Sequence, residues 1–212
     1  MAKHRTVSGE RFVPLISERR IRIRVKQLAR QISKDYRGEV PVFIGVLNGS
    51  FIFFADLVRE LGIACEIDFL KLSSYGDAKI SSGNVRLLKD LNCTVVGRDI
   101  IIVEDIVDSG LSMQYILELV GSHHPRSLRV VTLLYKPDCV RSGFVPDYVG
   151  FSIPPDFVIG YGLDYAQRQR NLRAIYRRAS SETTGAEEHT GVRVGARRAR
   201  SGIIDQTVQA HS

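Results

Sequence analysis

The chain has 212 residues, 44% of them apolar and 25% charged, with a formal net charge of +7. Those proportions suit a single domain with a sizeable core, and three scattered cysteines (Cys65, Cys93, Cys139) argue against a disulfide framework or a CxxC zinc site. The opening MAKHRTVSGE lacks the apolar centre of a secretory signal, and no uncharged stretch is long enough to span a bilayer, so the sequence reads as a soluble, cytoplasmic protein with no membrane partner.

The excess positive charge crowds the amino end, from Lys3 to Arg37, opposed there only by Glu10, Glu18 and Asp35. Much of it falls on a helix predicted over residues 17–37. Ser17 caps that helix, Ile21, Val25, Leu28 and Ile32 recur at helical spacing, and Gly38 follows where a left-handed stop costs little. A solvated helix face accounts for the basic run more simply than a polyanion site. Phe12 is the only ring before Tyr36, so base stacking on nucleic acid has no support there.

Val40–Leu47 is a nearly continuous apolar run, as in a strand covered on both faces, and Asn48-Gly49-Ser50 turns it into a helix predicted over 51–61. Cys65–Leu72 alternates as a strand, and Val85–Leu91 returns as its antiparallel partner. The polar stretch from Ser73 to Asn84 between them is a long exposed hairpin loop, of the kind that serves as a lid. Asp99–Val103 is the most apolar strand, and it runs into Glu104-Asp105-Ile106-Val107-Asp108-Ser109-Gly110 before a helix predicted over 111–120. Leu128–Leu134 is another buried strand. Shorter β segments at Tyr148–Ser152 and Phe157–Tyr161 follow, then a last helical piece to about Arg178. Strands alternating with helices predict an α/β fold with a central, mostly parallel sheet flanked by helices, whose ligands bind beyond the carboxyl ends of the strands. From Ala179 the apolar period fades, so residues 1–178 are expected to form the domain and 179–212 a disordered tail.

The strongest chemical signal is Ile100–Met113, IIIVEDIVDSGLSM. A buried strand delivers two adjacent carboxylates, Glu104 and Asp105, suited to the two hydroxyls of a ribose or to a metal. The turn carrying Asp108, Ser109, Gly110, Leu111 and Ser112 opens a helix whose first amides are unpaired, which makes a cradle for a phosphate monoester. The plainer alternative has Asp105 and Asp108 capping the helix and Glu104 in solvent. Farther on, Lys136 stands just past a strand end. A lysine only donates hydrogen bonds, so it accepts an exocyclic carbonyl and rejects an amine. Phe157 can stack on a purine, although a lone phenylalanine is as readily a core residue. Asp164 can cap a helix and Arg170 can be a surface residue.

The segment IIIVEDIVDSGLSM resembles the phosphoribosyl pyrophosphate motif of the type I phosphoribosyltransferases, and Lys136 with Phe157 through Arg170 resembles the hypoxanthine-guanine phosphoribosyltransferases in order and spacing. The likeness runs from about residue 10 to residue 178. It implies the type I fold with a small hood and a long flexible hairpin loop. It also implies a reaction that joins phosphoribosyl pyrophosphate to hypoxanthine or guanine with Mg2+ as cofactor, and a homodimer or homotetramer. Under it, Glu104 and Asp105 meet the ribose, Asp108–Ser112 hold the 5′-phosphate, and Asp108 is the proton acceptor. Lys136 takes the purine oxygen, Phe157 covers the ring, and Val158 offers backbone groups to the base. Leu47, Asn48 and Gly49 form the pyrophosphate turn, with a non-proline cis bond at Leu47–Asn48, and Arg170 joins them on the pyrophosphate. Asp164 joins Glu104 and Asp105 at the metal and also lies by the base; Ser74 and Tyr75 belong to the lid. The family often has lysine where this chain has Asn48, so here backbone amides do the binding. A type I enzyme preferring xanthine and an RNA-binding regulator on the same fold are the competing readings.

Overall fold

The computed structural model describes residues 4–74, 85–140, 143–179 and 193–194. The first helix, α1 (Glu18–Asp35), starts where predicted: the Ser17 hydroxyl accepts a hydrogen bond from the Arg20 amide at 3.4 Å, and Gly38 follows the helix at φ 85°. Its apolar stripe, Ile21, Val25, Leu28 and Ile32, is buried. One basic residue departs from the expected solvated face. Arg24 is only 8% exposed and donates to the carbonyls of Gly150 at 2.9 Å and Val149 at 2.7 Å, so it joins the helix to the sheet.

The main sheet is built on β3 (Val42–Leu47), β4 (Glu66–Ser74), β5 (Val85–Lys89), β6 (Asp99–Val107), β7 (Ser127–Tyr135) and β8 (Tyr148–Ser152). With β11 (Arg193–Val194) its order is β11-β8-β7-β6-β3-β4-β5, parallel from β8 to β4 and antiparallel at both edges. Alternation along β6 explains its apolar sequence. Ile101 and Val103 face a cluster shared with α1 and α2 (Phe51–Arg59), while Ile100 and Ile102 face one shared with α3 (Leu111–Gly121). A strand covered on both sides has no solvent face to make polar.

The chain passes from β3 to β4 on one side of the sheet, then returns to place β6 on the other side of β3. This reversal opens a crevice beyond the carboxyl ends of β3 and β6, the place where open α/β sheets bind ligands. Asn48 and Asp108 stand at those two ends.

A second sheet, β1-β2-β10-β9, is antiparallel and made of β1 (Arg5–Val7), β2 (Glu10–Ile16), β9 (Val158–Ile159) and β10 (Ile175–Arg178). It buries Val7, Phe12, Ile159, Ala174 and Tyr176 in a small core of its own. Two expectations fail here. The strands β1 and β2 were not foreseen, and the piece to Arg178 is not a helix. Residues 160–172 form linked turns, with Tyr161, Ala166, Gln167 and Gln169 all at positive φ, and the chain then enters β10. The amides of Tyr161 and Gly162 bond to the carbonyls of Leu172 and Arg170 at 2.8 and 2.9 Å, so tertiary pairing overrides the helix propensity of the AQRQR run.

Of the expected tail, Arg193 and Val194 pair with Ser152 and Phe151 as an edge strand; otherwise residues 180–212 lie outside the described residues. So does Tyr75 of the expected lid, whereas Ser74 ends β4. No described helix is long and apolar enough to cross a membrane.

Candidate active site

The donor half of the crevice is local in sequence. Strand β6 carries Glu104 and Asp105 to its tip; the chain then turns through Asp108 and Ser109 to Gly110, which sits at φ 83° and opens α3. A residue with a Cβ resists that left-handed conformation. The plainer reading of the acids as helix caps does not hold. No side chain caps α3 at Gly110, and the nearest approach is a long 3.5 Å contact from the Leu111 amide to the Ser109 hydroxyl. The helix start is thus left without a side-chain cap, an arrangement able to receive an anion.

The turn after β3 closes on the same acids. The Leu47–Asn48 peptide is cis, Asn48 is exposed, and the Ser50 hydroxyl is buried and donates to the Val46 carbonyl at 2.6 Å. A Cβ on Gly49 would run into the Asp105 carboxylate, and one on Gly162, at φ +103°, would run into the Gly49 carbonyl. Gly162 thus packs the 160–172 turns onto the Leu47–Gly49 turn. Its carbonyl accepts from Arg170 Nη1 at 2.8 Å, and Arg170 Nη2 meets Asp164 Oδ1 at 2.8 Å. Four predicted residues, Gly49, Asp105, Asp164 and Arg170, are in this way joined around Gly162, which sequence reasoning passed over. The Gly-Tyr-Gly run at 160–162 was the available signal.

On the base side, Lys136 is 6% exposed, and its Nζ donates to Asp108 Oδ2 at 2.7 Å. The Lys136 amide bonds to the Val107 carbonyl at 3.0 Å, so the β6–β7 ladder fixes where the lysine stands. Cys139, in the sequence only one of three scattered cysteines, lies by this pair: burial, then the neighbouring Asp108 carboxylate, push its pKa up. Phe157 is 40% exposed, unlike a core residue, whereas Val158 is buried and pairs with Arg177. A cavity of about 460 Å³ lies elsewhere, between α1, α2 and the 161–173 turns, and none of the predicted site residues lines it.

The model of the phosphoribosyl transferase domain family matches residues 16–166. The hypoxanthine-guanine phosphoribosyltransferase of Bacillus subtilis (strain 168) is 47% identical over 161 residues, which are 76% of this chain and 89% of that protein. The chain belongs to the hypoxanthine-guanine phosphoribosyltransferase family. Another member, from Mycobacterium tuberculosis (strain H37Rv), is 46% identical over 167 residues, covering 76% of this chain and 83% of the relative. A crystal structure of the Bacillus anthracis hypoxanthine-guanine phosphoribosyltransferase superposes with a TM-score of 0.75 at 44% identity, over 78% of this chain and 97% of that one.

The acids of this family member also bear on a metal. Burial pushes the Glu104 carboxyl well above its usual range, and the adjacent Asp105 charge adds to that; burial raises Asp105 too, against hydrogen bonds from Glu104 and nearby amides and the Arg170 charge. Among the described residues, Glu104 Oε2 is buried with no hydrogen-bond partner. Two buried carboxylates with an orphaned oxygen are a donor set that a cation satisfies. No three acidic, histidine or cysteine side chains among the described residues converge as a cage, so Glu104, Asp105 and Asp164 do not form a closed site by themselves.

Proposed function

We propose that this protein transfers the 5-phosphoribosyl group of phosphoribosyl pyrophosphate to hypoxanthine and to guanine, giving IMP or GMP and pyrophosphate in purine salvage. The observation that carries the reading is the Lys136–Asp108 pair, 2.7 Å apart at the rim of the α3 cradle. A 6-oxopurine presents O6 and N7 side by side on one edge. Lys136 Nζ donates to O6 and Asp108 takes the proton at N7, which adenine, with an amine at that position, does not allow.

The roles then follow the crevice. Glu104 and Asp105 receive the ribose hydroxyls, and the amides and hydroxyls of Asp108–Ser112 receive the 5′-phosphate. The backbone of Leu47, Asn48 and Gly49, together with Arg170, receives the pyrophosphate. Phe157 stacks on the purine, Val158 offers it backbone groups, and Asp164 lies beside both base and metal. The bond from ribose C1 to the pyrophosphate oxygen loosens as N9 of the base bonds to the opposite face, which inverts that carbon. Positioning and charge stabilisation supply most of the rate. Mg2+, held by Glu104, Asp105 and Asp164 with substrate oxygens, would supply positive charge against the leaving pyrophosphate. Ser74 and Tyr75 belong to a lid that keeps water from the reacting carbon. Residues 1–178 are the catalytic unit, it works in the cytoplasm, and it assembles as a homodimer or homotetramer.

The test is nucleotide formation from labelled hypoxanthine, guanine, xanthine and adenine with the donor, with and without Mg2+. IMP and GMP should form only with the metal. Formation of AMP would overturn the role of Lys136, and a preference for xanthine would transfer the enzyme to a different substrate class.

A further inference from the structure

The stacking ring is held by a side chain that the reaction scheme leaves out. Arg178, at the end of β10, places its guanidinium over the Phe157 ring, 5.0 Å from the centroid. The two residues are joined twice, because the Arg178 amide also donates to the Phe157 carbonyl at 3.0 Å. Tyr165 meets the ring edge-on at 5.9 Å and Phe12 meets it at a tilt at 6.3 Å, yet Phe157 keeps 40% exposure. The guanidinium is tethered in turn: Nε lies 3.2 Å from Glu10 Oε2. That contact is an ion pair and not an aligned hydrogen bond, and Glu10 Oε2 is buried with no hydrogen-bond partner among the described residues. The Tyr165 hydroxyl reaches the other oxygen of Glu10 at 3.5 Å. Three segments far apart in sequence, at residues 10–12, 157–165 and 178, therefore converge on one aromatic ring.

We propose that Arg178, anchored by Glu10, is a positioning residue for the purine: its cation–π contact locks the Phe157 ring in the orientation that receives the base. This rests on the reading of Phe157 as the stacking residue. A partly exposed ring with rotamer freedom gives up entropy when a base lands on it, and a ring fixed beforehand does not. Arg178 itself touches no reacting atom, so its effect falls on base affinity and not on the chemical step.

The experiment uses steady-state kinetics of the full chain with hypoxanthine and phosphoribosyl pyrophosphate each varied. Arg178→Met should raise the KM for hypoxanthine about two- to fivefold, the worth of an exposed cation–π contact. The kcat and the KM for the donor should stay within about twofold, since this side chain lies in the hood and is 48% exposed. Arg178→Lys should retain most of the affinity, and Glu10→Gln should move KM in the same direction as Arg178→Met. In a Phe157→Leu background the Arg178→Met change should become silent, an outcome that a merely structural role would not produce. Additive effects of the two substitutions, an equal rise in the KM for the donor, or a lowered KM for hypoxanthine would each overturn the proposal. The last would mean that the guanidinium occupies the place of the base. If Phe157→Leu alone leaves the KM for hypoxanthine unchanged, the stacking reading itself falls, and that result is separate from additivity.

Discussion

The two halves of the crevice are built in opposite ways. The donor half is a nine-residue stretch, Glu104 to Ser112, in which a strand end, a left-handed glycine and a helix start follow one another without interruption. The base half draws on Lys136 at the end of β7, Phe157 before β9, Asp164 in the turns and Arg178 at the end of β10, with Glu10 and Phe12 from the other end of the chain. A site that is contiguous holds its shape through its own backbone hydrogen bonds. A site that is assembled depends on every element that docks, so it is the more easily tuned and the more easily misread.

That contrast can be broken most severely at Asp108, the residue that belongs to both halves. Asp108→Asn keeps the turn and removes the proposed proton acceptor, so kcat should fall on the order of 10²- to 10⁴-fold while the KM for the donor changes little, measured with each substrate varied in turn. A normal turnover would remove Asp108 from the mechanism. Next comes Gly49→Ala. The added methyl meets the Asp105 carboxylate and displaces the donor half from its turn, so kcat/KM for phosphoribosyl pyrophosphate should fall about 100-fold. An alanine variant with wild-type donor kinetics would show that the contact between turn and acid is not required.

A smaller effect is expected at Lys136→Met, which acts on the base half alone. Losing one charge-assisted hydrogen bond of about 1.5 kcal/mol should cost roughly tenfold in kcat/KM for hypoxanthine, with the KM for the donor unchanged. If the donor KM rises equally, the lysine supports the cradle and does not read the base.

The smallest effect lies outside both halves, at the root of the β4–β5 hairpin. Burial works to raise the Asp68 carboxyl, but the amides of Phe69, Asn92 and Cys93 and the Lys89 ammonium outweigh it and hold the pKa down at about 2. A carboxyl with a depressed folded pKa contributes stability above its ordinary value of 3.8 and loses it as the pH falls toward about 2. Melting temperature followed over that window should drop more steeply in the wild-type chain than in Asp68→Asn. Parallel curves would mean that the hairpin root carries no such linkage.

The legibility of the sequence follows the same division. Glu104, Asp105 and the Asp108–Ser112 turn could be placed because a four-residue aliphatic run ends in acids, then glycine, then an apolar helix, all within one local pattern. The turn at Leu47–Gly49 was legible for the same reason, since an apolar strand breaks into small residues before a helix. The hood was not legible. Residues 5–16 read as a basic lead-in because β1 and β2 are short edge elements whose partner, β10, lies about 160 residues away. The stretch after Asp164 read as a helix because alanine, glutamine and arginine favour one, while the glycines at 160 and 162 and the docking onto Gly49 decide otherwise. Arg24 looked like one more solvated charge, and only its contact with β8 distinguishes it.

What the chain alone determined is the α/β alternation, the strand tips and the local strand–turn–helix from Glu104 to Ser112, since these depend on periodicity and on residues within a turn or two of each other. Tertiary structure decided which strand ends share the reversal between β3 and β6, how Gly162 closes Arg170 and Asp164 onto the pyrophosphate turn, and which side chains hold Phe157. Those contacts join residues tens to more than a hundred positions apart, and no local preference specifies such a meeting. It is settled by which faces must be buried against one another when the whole sheet forms.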